Sequence, residues 1–306
     1  MNKLMNSNKM YYYTDYNTFN LILRNGTLRF KESTSSNDRL DTVQLYNELS
    51  KMAEEKLKEA DLRAEQKFYF DMLKRNEVKS SRISLVACFT TKADSRMLWD
   101  AYTMNRKDRK AERYNGVCLE FDRQLLVNTM NNSAKIFDIK ECKNITYGYE
   151  GIRDYLEQII DDFSTEVERL SKDKDQRQNI IQPISIPVIH KALVLKKCIV
   201  IPIINLIDEV DTQAPFIKHI FWKEECEIRA LLSMKRTNKN ECKLGKYGDG
   251  SYYYDLSINE NCITKVILGP EFSDEEIEEL RSLGGKIRLK KINIEKSMGT
   301  NIITNR

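Results

Sequence analysis

Three short apolar runs, ISLVACFT (83–90), GVCLEFD (116–122) and ITKVIL (263–268), constrain this chain most. Each has the length and the β-branched and aromatic content of a buried strand, and each is bounded by polar or turn-forming residues. Such strands have to pair in a sheet covered by other elements. A chain of 306 residues is long enough to bury that core.

Both ends of the chain read as strand, helix and strand, without an internal repeat. The opening segment YYYTDYNTFNLILRNGTLRF (11–30) reads as an aromatic strand, a short helix and a second strand. Thr14 is the expected N-cap, Phe19, Ile22 and Leu23 give the helical spacing, and Asn25-Gly26 supplies the stop. The closing segment from Ile263 to Ile294 reads as strand, helix and strand, with a capping box from Ser273 and Glu276 and a Gly284-Gly285 stop. Between them lie two long amphipathic stretches. Residues 41–79 read as one helix with a stripe of Leu45, Leu49, Ala53, Leu57, Ala60, Ala64, Phe68 and Met72, and with Glu54–Lys58 and Glu59–Arg63 as charge pairs. The second, IRDYLEQIIDDFSTEVERL (152–170), turns Ile152, Leu156, Ile159, Phe163, Val167 and Leu170 inward. The expected class is α+β, a mixed sheet core in one domain over residues 1–306, carrying helical insertions at 41–79 and 150–212.

Composition narrows the function classes. Hydrophobic residues make up 41% and charged residues 31%, as in a soluble globular protein, and a net charge of +4 is too small to mark a nucleic-acid binder. Seven cysteines stand singly, with no CxxC and no zinc-ligand spacing, which reads as reduced thiols in a cytoplasm. The start MNKLMNSNKM lacks the apolar run of a signal peptide. Lysines and His190 interrupt the most apolar window, VIHKALVLKKCIVIPIINLI, so no membrane span is expected. With His190 and His219 as the only histidines, a histidine-rich metal site is excluded and no metal is expected.

The common phosphate-loop, esterase, zincin and dinucleotide signatures are all absent. What concentrates chemistry is FIKHIFWKEECEIRALL (216–232). Read as a strand, it sets Glu225, Glu227 and Arg229 on one face and Cys226, Ile228, Ala230 and Leu232 on the other. Read as a helix, it makes Glu225 and Arg229 an ordinary surface pair. His219, close to Trp222 and Glu225, is either a general base or a satisfied half-buried residue. In SRMLWDAYTMN (95–105), Ser95, Trp99 and Tyr102 are pocket candidates, and helical spacing equally makes Leu98, Trp99 and Tyr102 core. The basic connector 106–113 and Tyr252-Tyr253-Tyr254 offer phosphate contacts and stacking surface for a nucleic acid, or a solvated loop and a plain strand.

The succession YYYT, LRF with SSNDRLD, ACFTTKADSRMLWDAYTMN, GVCLEFD, KHIFWKEECEIRALL and ITKVILGPEFSDEEIEEL resembles the bacterial family of domain of unknown function 2971. Arg39 departs from it, standing where that family commonly has proline. A second resemblance is to ADP-ribosyltransferases. Those enzymes open with a strand carrying an aromatic, His or Arg that holds the nicotinamide half of NAD. A second strand brings Ser or Tyr, and a later one brings a glutamate, sometimes as Glu-x-Glu. YYYTDYNTFNLILRNGTLRF is similar to that opening, and Glu225-Cys226-Glu227 has that spacing.

The resemblance implies an ADP-ribosyltransferase-like fold and NAD as substrate. It implies Glu227 and Glu225 as catalytic acids, with Tyr12, Tyr13, Ser95, Trp99, Tyr102, His219 and Arg229 around the nucleotide. The expectation is an NAD-consuming enzyme, a toxin or phage-defence effector acting on a protein or nucleic-acid acceptor. The alternative is a non-catalytic nucleotide or nucleic-acid binding module of the same fold.

Overall fold

The computed structural model describes residues 8–35, 43–75, 82–103, 116–148, 150–172, 205–241, 243–282 and 292–297. Arg39, the connector 106–113, His190 with its apolar neighbours, and Gly284-Gly285 lie outside the described residues.

The opening unit is β1 (Lys9–Thr14), α1 (Tyr16–Asn25) and β2 (Thr27–Glu32). Asp15 caps α1 in place of the expected Thr14: its carboxylate accepts from the Thr18 N–H at 2.9 Å, where the helix presents unpaired donors. Thr14 is still the last residue of β1. Gly26 ends α1 at φ 62°, ψ 39°, and its N–H closes on the Ile22 carbonyl, a backbone state that favours glycine.

Two helices follow where one was expected, α2 (Val43–Lys56) and α3 (Ala64–Lys74). The break resets the helical phase, so Tyr69, Phe70 and Leu73 are buried while Phe68 is 45% exposed. The charges respond in the same way, because the two helices lie side by side. Glu54 pairs with Lys74 at 3.0 Å across the turn, and Arg63 reaches Glu168 at 3.0 Å instead of Glu59.

Then come β3 (Arg82–Thr90), α4 (Arg96–Tyr102), β4 (Val117–Asp122), α5 (Arg123–Ser133), β5 (Ile139–Asn144), β6 (Thr146–Tyr147) and α6 (Glu150–Lys172). After a helix over 205–213, α7, the chain forms β7 (Ile217–Lys218), a 3-10 turn (Ile220–Glu225) and β8 (Glu227–Lys235). It closes with β9 (Gly245–Lys246), β10 (Tyr252–Ser257), β11 (Ile263–Leu268), α8 (Asp274–Ser282) and β12 (Asn293–Lys296). The capping box of α8 forms as the sequence predicts, with the Ser273 N–H to Glu276 at 2.7 Å and the Glu276 N–H to Ser273 Oγ at 3.2 Å.

Ten strands make one open, mostly antiparallel sheet in the order β12-β11-β4-β1-β3-β2-β10-β9, and β8 and β5 extend from β3. The protein is therefore mixed α and β. β3 is the hub of this sheet. One edge of it pairs with β8 over nine residues, from Arg82↔Lys235 to Thr90↔Glu227. Among the described residues, its other edge meets β1 only at Tyr11↔Thr90 and β2 only at Lys31↔Val86 and Glu32↔Leu85. β1 and β2 therefore diverge, and the sheet splits beside the middle of β3.

One sheet face carries the main core. Phe89, Leu119, Phe121, Ile228, Ala230 and Leu232 pack there with Phe19 and Ile22 of α1 and Leu126 and Met130 of α5. Full burial of each such large side chain contributes about 1.5–3 kcal/mol. A second core joins α2, α3, α6 and α7 through Leu45, Leu49, Phe70, Leu156, Ile160 and Val210. No described helix is long and apolar enough to cross a membrane.

Candidate functional site

Side-chain parity along β3 and β8 decides which residues meet. Partners in an antiparallel ladder point to the same face, and alternate residues of one strand share it. Tyr11, Thr90 and Glu227 thus form one row across β1, β3 and β8, on the face opposite the main core. Two strand spacings separate Tyr11 from Glu227, about 10 Å. The next row on β3 and β8 is Cys88↔Arg229. Cys88 is exposed while both its neighbours, Ala87 and Phe89, are buried, so solvent reaches the middle of a central strand at the split of the sheet.

Beside that opening lies a buried quartet of charges. Glu225, Glu227, Lys218 and Arg229 are 8%, 5%, 7% and 1% exposed. The Lys218 ammonium donates to Glu225 Oε2 at 2.6 Å and to Glu227 Oε2 at 3.1 Å. Arg229 Nε donates to Glu227 Oε1 at 2.6 Å, and its Nη1 holds the Pro215 carbonyl at 2.8 Å. Tyr102 completes the shell by donating to Glu225 Oε1 at 2.7 Å. Two acids and two bases balance, which is the condition under which charges tolerate burial.

The backbone makes this convergence possible. Residues 220–225 form a 3-10 turn, so Glu225-Cys226-Glu227 is not the continuous strand of the sequence reading, which holds from Glu227 onward. Cys226 adopts φ 46°, ψ 48°, a left-handed state that L side chains rarely occupy. That turn brings both carboxylates to one ammonium although they flank a single residue. The Glu227 N–H donates to Tyr147 Oη at 2.7 Å, and Thr90 Oγ1 donates to the Glu225 carbonyl at 2.7 Å, fixing the turn from both sides.

These surroundings set the charge states. Burial by itself would raise the Glu227 pKa, but the charge and hydrogen bond of Arg229, then Lys218, outweigh it and hold the carboxyl below its ordinary value. For Lys218, burial acts downward and the charges of Glu227 and Glu225 lift it well above the usual lysine range. Glu227 is therefore an ionised carboxylate at neutral pH, suited to facing a positive charge and unsuited to donating a proton.

The other candidates divide. Tyr102 joins the acids and is 44% exposed. Tyr13 shares the face of Tyr11, but its hydroxyl accepts from the Ser95 N–H at 2.9 Å and its ring meets Trp99 edge-on at 5.0 Å. Trp99 is fully buried and donates to Asp94 at 2.7 Å. Ser95 makes no side-chain cap. Tyr13, Ser95 and Trp99 are thus packing that seats α4 against β1, not an open pocket. Tyr12, expected around the nucleotide, lies on the opposite face with Phe89 at 5.6 Å and Phe121 at 6.4 Å, because parity assigns that face to alternate residues. Burial pushes its hydroxyl up to about 12. His219 caps the 3-10 turn, its Nδ1 accepting from the Phe221 N–H at 3.2 Å.

Sequence reasoning did not single out Tyr11, Thr90, Tyr147, Cys88 or Lys218 as site residues. A Thr-Thr pair closing the apolar run ISLVACFT was the available signal for Thr90. Lys218 carried none, because its role comes from tertiary contact alone. A separate cavity of about 510 Å³ opens between α6 and α7, lined by Tyr155, Asp162, Phe163, Asp208 and Glu209 among others. It contains none of the candidate residues and belongs to the helical cluster. Among the described residues, no group of three or more His, Cys, Asp or Glu is placed to hold a metal ion.

Residues 98–230 match the model of a family described as "Protein of unknown function (DUF2971)". The matched segment contains Tyr102, Lys218, Glu225, Glu227 and Arg229. No curated protein and no solved structure matches the chain.

Proposed function

Given that residues 98–230 match the model of the DUF2971 family, we propose that the chain is an NAD-consuming, ADP-ribosyltransferase-like enzyme whose central carboxylate is Glu227. One observation carries the reading: Tyr11, Thr90 and the ionised Glu227 stand in register on one sheet face, next to the solvent-open Cys88. An aromatic on the first strand, a hydroxyl on a central one and a glutamate on a later one is the arrangement that the resemblance implies, with Thr90 in the place of Ser or Tyr.

The chemistry follows from the charge state. As the nicotinamide–ribose bond breaks, the ring leaves with the bonding electron pair and the ribose carbon becomes an oxocarbenium ion. A carboxylate kept ionised and oriented by Arg229 stabilises that charge without reorganising. Water, or a hydroxyl or amine of an acceptor, then attacks the ribose carbon and loses its proton to solvent. Tyr11 and the exposed ring of Tyr102 offer stacking surfaces for the nicotinamide and for a base.

A second reading, a nucleotide or nucleic-acid binding module without turnover, is favoured by the occupancy of the acids, since Arg229 and Lys218 already engage both oxygens of Glu227. Nicotinamide release by the purified protein separates the two. Wild type is expected to release it with water, a protein mixture or a nucleic acid as acceptor, and Glu227→Gln is expected to lower the rate about 100- to 1,000-fold. Equal binding of NAD by both proteins with no release from either would establish the binding module instead.

A further inference from the structure

We infer that residues 214–218 are a strap by which the helical cluster keeps the acid pair closed, with Lys218 as its latch. The inference concerns the regulation of the site proposed above and rests on that reading. Glu225 and Glu227 are 8% and 5% exposed, so a ligand cannot approach their oxygens until a covering group withdraws. The groups in contact with those oxygens are Arg229, Tyr102, Lys218 and, at Glu227, the exposed Cys88 of β3. Arg229 sits on β8, paired on both sides by β3 and β5, and moves only with the sheet. Lys218 is held differently.

β7 is two residues long and stands outside the large sheet, paired in parallel with β6 through Thr146↔Ile217 and Tyr147↔Lys218. The strap leaves α7 directly, and consecutive residues face three ways. Phe216 packs on the sheet with Val86, Ile145 and Leu231, Ile217 joins the core of the helical cluster, and Lys218 enters the acids. Pro215 gives its carbonyl to Arg229 at 2.8 Å. The strap therefore couples the position of the helices to the cation at the acid pair. With Lys218 in place the quartet is neutral, and an incoming cationic centre gains little. With it withdrawn, two carboxylates face one arginine, and the site carries a net negative charge toward a pyridinium ring or an oxocarbenium ion.

Two short strands with few hydrogen bonds open more readily than a nine-residue ladder. Hydrogen exchange on the whole protein tests that opening without any substrate. The Gly148 N–H, which donates to the Lys218 carbonyl at 3.2 Å, is expected to exchange at least tenfold faster than the amides of β3 and β8. A disulfide lock, Thr146→Cys with Ile217→Cys, is expected to slow that exchange when oxidised. It should also lower nicotinamide release at least tenfold, reversibly on adding a thiol reductant. Lys218→Met is expected to raise the release rate or tighten NAD binding severalfold.

Exchange of Gly148 at the pace of β3, or a lock that leaves turnover unchanged, would overturn the strap. So would a loss of turnover in Lys218→Met with folding intact, because Lys218 would then be a positioning residue and not a latch. Strap opening as expected in a protein that never releases nicotinamide would leave the strap standing and sink the enzyme reading instead.

Discussion

Two ionic clusters, each around a buried arginine, occupy the same face of the β3–β8 ladder, one at each end, and they are built for different tasks. At one end Arg82, 2% exposed in its side chain, reaches Asp138 at 2.5 Å, Asp208 at 3.0 Å and Ser233 at 2.9 Å. Its carboxylate partners are open to water, with side chains 51% and 34% exposed. At the other end all four charges of Glu225, Glu227, Lys218 and Arg229 are buried, yet they adjoin the exposed Cys88 and Tyr102. Val86, Leu231, Phe216 and Ile145 form an apolar divider between the two. Arg82 is a clamp that ties α7 and the start of β5 to the sheet, with solvent supplying the remaining hydration. The quartet has excluded solvent from every charge at the point where the sheet is split and open, an arrangement that a clamp does not need.

The largest effect should come from the clamp. Removing one partner of a buried ion pair costs about 3–5 kcal/mol, and Arg82→Met should fall near the lower bound because Asp138 and Asp208 rehydrate. Chemical denaturation measures it. If the ends differ as argued, nicotinamide release per folded molecule stays unchanged in this variant, and a parallel collapse of activity would erase the distinction.

A smaller effect sharpens the charge states of the quartet. Glu227 is held below its ordinary value of 4.5, so its contribution is complete above that pH and is lost as the pH falls through its lowered folded-state value. Lys218 is raised above 10.5, so its contribution is complete below that pH and disappears as the pH climbs through its raised folded-state value. Stability measured against pH should therefore lose part of its acid limb in Glu227→Gln and part of its alkaline limb in Lys218→Met. Unchanged limbs would mean that the quartet is not ionised as described.

The smallest effect is at Tyr102. Tyr102→Phe deletes one hydrogen bond to Glu225, and solvent at the half-exposed ring limits the loss to about 1 kcal/mol, read from the denaturation midpoint. A loss several times larger would make Tyr102 part of the structural clamp and not a wall of the opening.

The frame of strands was legible because it rests on local pattern. ISLVACFT, GVCLEFD and ITKVIL are β3, β4 and β11, and Asn25-Gly26 and the Ser273–Glu276 box end and start their helices where sequence places them. The alternation Glu227, Arg229 against Ile228, Ala230 is also as read. The site was harder to read, for two reasons. Tyr11, Tyr12 and Tyr13 are chemically alike, and only the register Tyr11↔Thr90 decides which of them share the face of Glu227, since a shift of one residue exchanges the faces. Cys226 is the other reason. No propensity assigns a cysteine a left-handed backbone, so neither the strand nor the helix reading of 222–232 anticipated a turn that aims both acids at Lys218. The interruption between α2 and α3 was hidden similarly, by leucine and alanine that continue the apolar stripe through residues 57–63.

Cys88 reports on whether this face takes the nucleotide, because it is exposed and hydrogen-bonds Glu227 between the row of Tyr11, Thr90 and Glu227 and the divergence of β1 from β2. Maleimide labelling, followed by peptide mass spectrometry, reads it against the half-buried Cys142 and Cys226 in the same protein. Saturating NAD is expected to slow modification of Cys88 at least tenfold while leaving the ratio of the other two unchanged. NAD that binds, as shown by calorimetry, and leaves Cys88 as reactive as before would place the ligand away from Glu227 and this sheet face.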